Sequence, residues 1–175
     1  MKLHLVTLKL SRELSSRRSV FDLFNDRESC DVFINSLIEC IEEHEIVLHG
    51  FVILSDQVHL ILQPGANLSK EIATLKRVSA YMIINYLTKK LQLLEGANDG
   101  RPEEFRSFIE HFLNTAQNAV WQKKVMTDEL SFGPQLQLNM ISAELLREYL
   151  DDNERNYLHL GANAFTRLMM DRLKI

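Results

Sequence analysis

The stretch Asp56-Gln-Val-His-Leu-Ile-Leu62 decides how the first part of this chain folds. Its dense, partly β-branched apolar residues are typical of a strand, and Pro64-Gly65 ends it. An equally apolar run, residues 45–54, precedes it across the polar turn Ser55-Asp56. Because that turn is so short, the two runs are predicted to form a β-hairpin.

Two polar residues interrupt the second strand of this hairpin. Side chains alternate along a strand, so Gln57 and His59 are predicted to share one face, while Val58 and Leu60 point to the other. Convergent polar side chains on an anchored strand suit a divalent-metal site. A single histidine on a strand is also compatible with a hydrogen-bonded structural role, and the spacing leaves both interpretations open.

The hairpin lies within a regular order of predicted elements. Alternating residues predict a first strand over residues 2–10, and helical periodicity predicts helices over 27–44 and 69–94, with Ser69 as the N-cap of the second. The order is therefore β-α-β-β-α. Beyond it we predict a helix from about residue 103, a strand or extended arm over 119–126, and a final helix capped by Ser142.

Length and composition are those of one globular domain. The chain has 175 residues, 46% of them hydrophobic and 25% charged, enough to bury one core without disulfides. We therefore expect an α+β domain over residues 1–175, with a core over about 1–94 and a C-terminal helical extension over about 103–175.

The charge and the cysteines exclude several classes of protein. A formal net charge of −4 argues against a protein that coats duplex DNA, so any nucleic-acid surface must be local. Cys30 and Cys40 lack the close Cys or His neighbours of a zinc site. The sequence has no signal-peptide pattern and no run long enough to span a bilayer, so we expect a cytoplasmic protein with no membrane partner.

The hairpin and several other segments together resemble a known family. The run Leu48-His-Gly-Phe-Val-Ile-Leu-Ser-Asp-Gln-Val-His-Leu-Ile-Leu62 is similar to the hairpin of the single-tyrosine HUH transposases, especially the REP-associated tyrosine transposases. Further similar segments follow the family's order and span most of the chain: His4–Thr7, Thr74–Arg77, Ala119–Lys124 and Met126–Leu130.

This resemblance implies a fold, a chemistry and a partner. The fold is a ferredoxin-like β-α-β-β-α core with an antiparallel sheet. The chemistry is attack by a tyrosine on a phosphate of single-stranded or hairpin DNA, which leaves a 5′-phosphotyrosine and a free 3′-hydroxyl. Two histidines on a central strand bind Mg²⁺ or Mn²⁺, which polarises the phosphate.

The residues that the resemblance assigns depart from the family pattern. His59 matches the second metal-binding histidine, but Gln57 stands in place of the first, and an amide is the weaker ligand. Tyr149 matches the nucleophile and Asn153, four residues later, a further metal ligand, although the Pro-Val that should follow is absent. Tyr157 is the alternative tyrosine. Tyr149 also lies in an apolar helical stripe, where a core role is the competing interpretation.

The same resemblance suggests a nucleic-acid surface. Lys76, Arg77 and Lys123 would contact the backbone, and Trp121 would stack on bases, as would the other aromatic residues Tyr81 and Tyr86. Trp121 is explained equally well as a packing anchor, and basic pairs are commonly solvated helix faces.

Three functions compete at this point. The first is a transposase-like DNA-binding protein, with a homodimer as its candidate assembly, whose cleavage activity is weakened or lost through Gln57. The second is an inactive nucleic-acid-binding module of the same fold. The third is a scaffold for protein partners, which the net acidity favours.

Overall fold

The computed structural model describes residues 2–11, 22–44, 46–95, 103–116, 119–130, 140–152 and 160–161. This part of the chain contains five strands and four α-helices and is α+β, as predicted. In chain order they are β1 (Leu3–Lys9), α1 (Arg27–Glu43), β2 (Val47–Ile53), β3 (Gln57–Gln63), α2 (Leu68–Glu95), α3 (Glu103–Ala116), β4 (Met126–Leu130), α4 (Ala143–Asp151) and β5 (Leu160–Gly161). A 3₁₀ turn, Leu23–Asn25, precedes α1.

The strands form one antiparallel sheet in the order β4-β1-β3-β2-β5. The hairpin partners β2 and β3 are adjacent, and β1 lies on the other side of β3, so β3 is central. The order 4-1-3-2 with helices after the first and third strands is the ferredoxin-like arrangement, which confirms the predicted core.

One face of the sheet packs against the helices. Residues that are paired across neighbouring strands point to the same face, and this face carries Val6 of β1 and Leu60 of β3, which are paired, and Phe51 of β2. All three are completely buried and belong to one apolar cluster with residues of the four helices, including Phe33 of α1 and Ile83 of α2. This cluster is the core of the domain.

The opposite face carries a different set of side chains. Leu5, Val52 and Ile61 are apolar and buried there, but none of them belongs to the cluster under the helices. Thr7 and His59 lie among them and are also buried. The two faces are called here the helix face and the histidine face.

Side chains cap the N-termini of α2 and α4. Of the two N-caps predicted from the sequence, one is confirmed and one is corrected. Ser142 caps α4, as predicted, by accepting a hydrogen bond from the backbone of Leu145. The predicted cap Ser69 is wrong, because the Asn67 side chain accepts from the Lys70 N–H at 3.0 Å. Glu71 reinforces this end by accepting hydrogen bonds from backbone N–H groups, including that of Asn67, so the turn before α2 is held by a reciprocal cap.

A polar cluster ties three helices together. The hydroxyl of Tyr86 on α2 lies 2.9 Å from Asp26 and 2.6 Å from Glu28, at the start of α1, and its single proton is shared between these two carboxylates. Lys90 donates to Glu28 at 2.7 Å and to the Tyr86 hydroxyl, and its ammonium lies 5.3 Å from the ring centre of Phe105 on α3. Burial, with the neighbouring carboxylates, raises the pKa of Tyr86 far above its usual range. The phenol therefore stays neutral as a donor.

The C-terminal extension departs from the predicted boundaries. Only Trp121 of residues 119–125 forms a bridge to the sheet, with Leu10, and the strand begins at Met126. Four of the five residues of β4 are exposed, and among the described residues β4 pairs with β1 alone. Lys2 and Glu129 form an exposed salt bridge of 3.1 Å across that pair.

Two further features are the absence of a membrane-spanning helix among the described residues and the state of the two cysteines. Within the described ranges, no helix is both long and apolar enough to cross a membrane. Cys30 and Cys40 are buried and are not joined by a disulfide. Burial raises the pKa of Cys40 to about 11, so this thiol is unreactive at neutral pH.

Candidate functional site

His59 and Gln57 project from the same face of the central strand, as their spacing predicts. In the ladder His59 is paired with Thr7 of β1 and Val52 of β2, and Gln57 is paired with Lys9 of β1. His59 is 4% exposed, whereas Gln57, at the end of β3, is half-buried. The pair therefore runs from the interior of the histidine face towards its rim.

A hydrogen bond fixes one side of the His59 ring. Its Nδ1 lies 2.9 Å from the hydroxyl of Thr7. Nε2 is buried, and it has no hydrogen-bond partner among the described residues. If Nδ1–H donates to Thr7, Nε2 presents a free lone pair, which is the form of the ring that binds a metal ion. The structural role of His59 and a ligand role are thus compatible.

The electrostatics favour a neutral ring. Burial lowers the pKa of His59 to about 4, and the positive charge of Lys9 acts in the same direction. Desolvation disfavours the imidazolium because a charge is poorly solvated there. At neutral pH the ring is therefore uncharged, as a ligand must be.

The donor set is nevertheless small. His59 offers one nitrogen and Gln57 one amide oxygen, and both are neutral. No group of three or more His, Cys, Asp or Glu side chains converges anywhere in the described part of the chain. Mg²⁺ prefers several oxygen ligands and usually shares them with water and substrate phosphates. The pair could therefore supply at most two ligands of a larger shell.

Tyr149 does not meet this pair. Its ring packs edge-on against Phe51, with 5.9 Å between the ring centres. Phe51 is paired with Leu60 and lies in the core under the helices, so Tyr149 lies on the helix face. The sheet separates it from His59, and the predicted convergence of nucleophile and metal ligands is not found. The core interpretation of Tyr149 fits this placement. Asn153 and Tyr157 lie outside the described residues.

Trp121 is also part of the core. It is 4% exposed, and its ring stacks on Phe24 and packs edge-on against Phe33. Its indole N–H donates to the Ser79 hydroxyl on α2 at 3.0 Å. No face of the ring is available to a base, so the predicted stacking role is wrong for this arrangement and the packing alternative holds.

Lys76 is half-buried, and its ammonium contacts the protein itself. Its ammonium donates to the carbonyl of Gln122 at 2.6 Å and lies 3.4 Å from that of Lys123. Burial lowers the pKa of Lys76. Two of the segments that carry the family resemblance, around Lys76 and around Trp121, are thus in direct contact. Lys76 supports the segment after Trp121.

Two other predicted nucleic-acid residues are accessible. Arg77 and Lys123 are exposed, as is Lys124. Sequence reasoning did not single out Thr7, the partner of His59, because only the strand register brings residues 52 positions apart into contact. It named Tyr81 without distinguishing it from the buried aromatic residues, although Tyr81 is 68% exposed.

Comparisons with known proteins give a limited result. No protein-family model matches the sequence, and no curated protein matches it. Among solved structures, a REP-associated tyrosine transposase bound to a REP hairpin is similar, with 11% identity and a TM-score of 0.45 over 75% of this chain and 58% of that one. A proposed transposase from Deinococcus radiodurans R1 is similar over 89% of this chain and 92% of that one, with 14% identity and a TM-score of 0.46. At these values the likeness carries no information about activity.

Proposed function

We propose that this chain is a transposase-like protein that binds single-stranded or hairpin DNA, and that it does not use Tyr149 to cut DNA at His59 and Gln57. The observation that supports it is the placement of His59 and Gln57 on one face of a central strand in a ferredoxin-like sheet. That placement is what the resemblance to the HUH transposases implies for these two residues.

The proposed site takes a divalent cation, Mg²⁺ or Mn²⁺, only together with DNA. His59 Nε2 and the Gln57 amide oxygen supply two neutral ligands, and phosphate oxygens and water supply the others. Once bound, the cation would polarise the phosphate and stabilise negative charge on its oxygens. Because neither protein ligand is charged, binding of the cation to the protein alone is weak.

The position of Tyr149 favours binding without cleavage. A nucleophile must reach the phosphorus from within contact distance, and Tyr149 lies on the other side of the sheet, against Phe51. A protein that holds DNA hairpins without cutting them fits this arrangement better than an active nuclease does.

The metal is tested by calorimetric titration with Mn²⁺, with and without a single-stranded hairpin DNA. We expect Gln57→His to raise Mn²⁺ affinity, because an imidazole replaces a weaker neutral donor. Gln63→His is the matched control, since it places the same ring on the same strand and face but at the opposite end. Equal affinities in the unmodified protein, Gln57→His and Gln63→His would rule out a metal site at the pair.

Cleavage is tested by incubating the protein with hairpin DNA and Mn²⁺ and looking for a covalent adduct on a denaturing gel. We expect none from the unmodified protein. An adduct that disappears in Tyr149→Phe would contradict the proposal, because it would require Tyr149 to reach the DNA. An adduct lost only in Tyr157→Phe would identify the alternative tyrosine as the nucleophile.

A further inference from the structure

The outer side of α2 carries an exposed aromatic ring beside an exposed cation. Tyr81 is 68% exposed. Of the other tyrosines in the described residues, Tyr86 shares its hydroxyl proton between two carboxylates and Tyr149 packs on Phe51. Arg77 is also exposed and precedes Tyr81 by four residues, so the two side chains are neighbours on one helix face.

This helix has an unusual charge distribution for an acidic protein. The chain contains 24 acidic and 20 basic residues, yet α2 has no Asp or Glu between Ile72 and Leu94, while it carries four basic residues there. The segment that follows Trp121 is similar: residues 119–125 contain two lysines and no acid. Lys90 is paired with Asp26 and Glu28, but the other basic residues of these two segments have no acidic neighbour within their own segment.

Hydrogen bonds from side chains bring these two segments side by side. The Lys76 ammonium binds the carbonyls of Gln122 and Lys123, and the Trp121 indole binds Ser79. The Gln122 amide also donates to the carbonyl of Leu10 at 3.0 Å, which ties the segment to the end of β1. Lys123 and Lys124 are thus held, exposed, beside the turn of α2 that carries Arg77.

We infer that Tyr81, Arg77, Lys123 and Lys124 form a binding surface for single-stranded DNA. Tyr81 stacks on an unpaired base, and the three cations contact successive phosphates. Proteins that bind single strands without sequence preference combine aromatic rings with a positive track of this kind. The inference rests on the proposed function, but it places the contacts on the helix side of the molecule, away from His59.

Lys76 supports this surface without being one of its DNA contacts. Its ammonium is used by two carbonyls, so it is a positioning residue that holds Lys123 and does not contact phosphate. We therefore expect Lys76→Met to weaken DNA binding as far as it displaces Lys123 and Lys124. In a Lys123→Gln, Lys124→Gln background, Lys76→Met should have no further effect on affinity, which a general loss of folding would not reproduce.

The surface is tested by fluorescence anisotropy with a labelled single-stranded DNA oligonucleotide, over a range of salt concentrations. We expect Tyr81→Ala to weaken binding on the order of tenfold, because a stacked base is lost, and Tyr81→Phe to restore it. Arg77→Gln should reduce the slope of log affinity against log salt by about 0.7. Lys2→Gln is the charge-matched control and should leave the slope unchanged, since Lys2 lies at the far end of β1.

Two further nucleic acids complete the experiment. A DNA duplex of the same length should bind more weakly and should not respond to Tyr81→Ala, because its bases are already stacked. A single-stranded RNA that binds better than the DNA and responds equally would reassign the partner to RNA. If none of Tyr81→Ala, Arg77→Gln, Lys123→Gln and Lys124→Gln weakens the binding of single-stranded DNA, the surface is overturned but the proposed function is not. No binding by the unmodified protein, even at low salt, would overturn both.

Discussion

The two faces of the sheet are built from the same strands but have different compositions. The helix face is apolar on the central strands, at Phe51 and Leu60, and is continuous there with the helices. On the histidine face, apolar residues such as Ile61 lie beside Thr7 and His59. The Nε2 atom of His59 has no hydrogen-bond partner in the described part of the chain. Since adjacent residues of β3 point to opposite faces, one strand serves stability on one side and candidate chemistry on the other.

The difference also separates two roles that the sequence assigned to one site. Tyr149 and Trp121 lie in the helix-side core, where aromatic rings contribute apolar area. His59 lies on the opposite side, with a buried ring nitrogen that has no hydrogen-bond partner among the described residues. The aromatic residues and the candidate metal ligand that the family resemblance predicted to act together thus contribute here to different properties of the protein.

The largest expected effect comes from the helix face. Phe51→Ala should lower the free energy of unfolding by about 3 to 5 kcal/mol, because it opens a cavity in a completely buried site. Urea denaturation measures it. Tyr81→Ala removes an aromatic ring of similar size from an exposed position and should change stability by less than about 0.5 kcal/mol. Equal losses in the two variants would mean that the core is not centred on the helix face.

A smaller effect, which depends on pH, is expected from the histidine face. The pKa of His59 is about 4 in the folded protein and near its ordinary value of about 6.5 when unfolded. The unfolded chain therefore binds a proton more readily between these values, and stability is lost as the pH falls from about 6.5 to about 4. Over this interval the free energy of unfolding falls by an amount on the order of 2 to 3 kcal/mol.

The contribution of His59 is isolated by measuring urea denaturation at several pH values in the unmodified protein and in His59→Gln. The variant cannot titrate at this position, so its stability should fall less steeply over the same interval. Parallel curves for the two proteins would mean that His59 is not desolvated and that the histidine face is open to water.

The smallest effect tests the contact between α2 and the segment after Trp121. Trp121→Phe removes the hydrogen bond to Ser79 while keeping most of the buried ring, and should cost about 1 kcal/mol. Ser79→Ala should cost a similar amount. If the hydrogen bond forms, the double variant loses less than the sum of the two. If the losses in the free energy of unfolding, measured by urea denaturation, are strictly additive, this hydrogen bond does not join the segment to α2.

The sequence predicted those features that depend on neighbouring residues. The period of two along β3 placed Gln57 and His59 on one face, and the order of strands and helices led to the ferredoxin-like core. The side chain of Ser142 was correctly predicted as a cap. Ser69 was not, because Asn67, two residues earlier, is equally suited to cap a helix and only the backbone path decides between them.

Features that depend on contacts between distant residues were not predictable. The apolar stripe of α4 shows that Tyr149 is turned inward, but the stripe is the same whichever face of the sheet the helix packs against. Lys76 and Trp121 look like nucleic-acid ligands in isolation. Their contacts, with Gln122 and with Ser79, join positions more than 40 residues apart. Asn153 and Tyr157, outside the described residues, stay predictions, as do the cytoplasmic location and the homodimer.

The exposed strand β4 has a consequence for how two copies of this protein could meet. Edge strands expose unpaired backbone groups, which can join the sheet of a second molecule. A twofold antiparallel pairing centred on β4, Met126–Leu130, would set Asp128 against its own counterpart and keep both Glu129 carboxylates nearby. Like charges directly opposite one another destabilise such a ladder. The acidic residues of β4 thus oppose this symmetric mode of self-association while leaving the rest of the surface unrestricted.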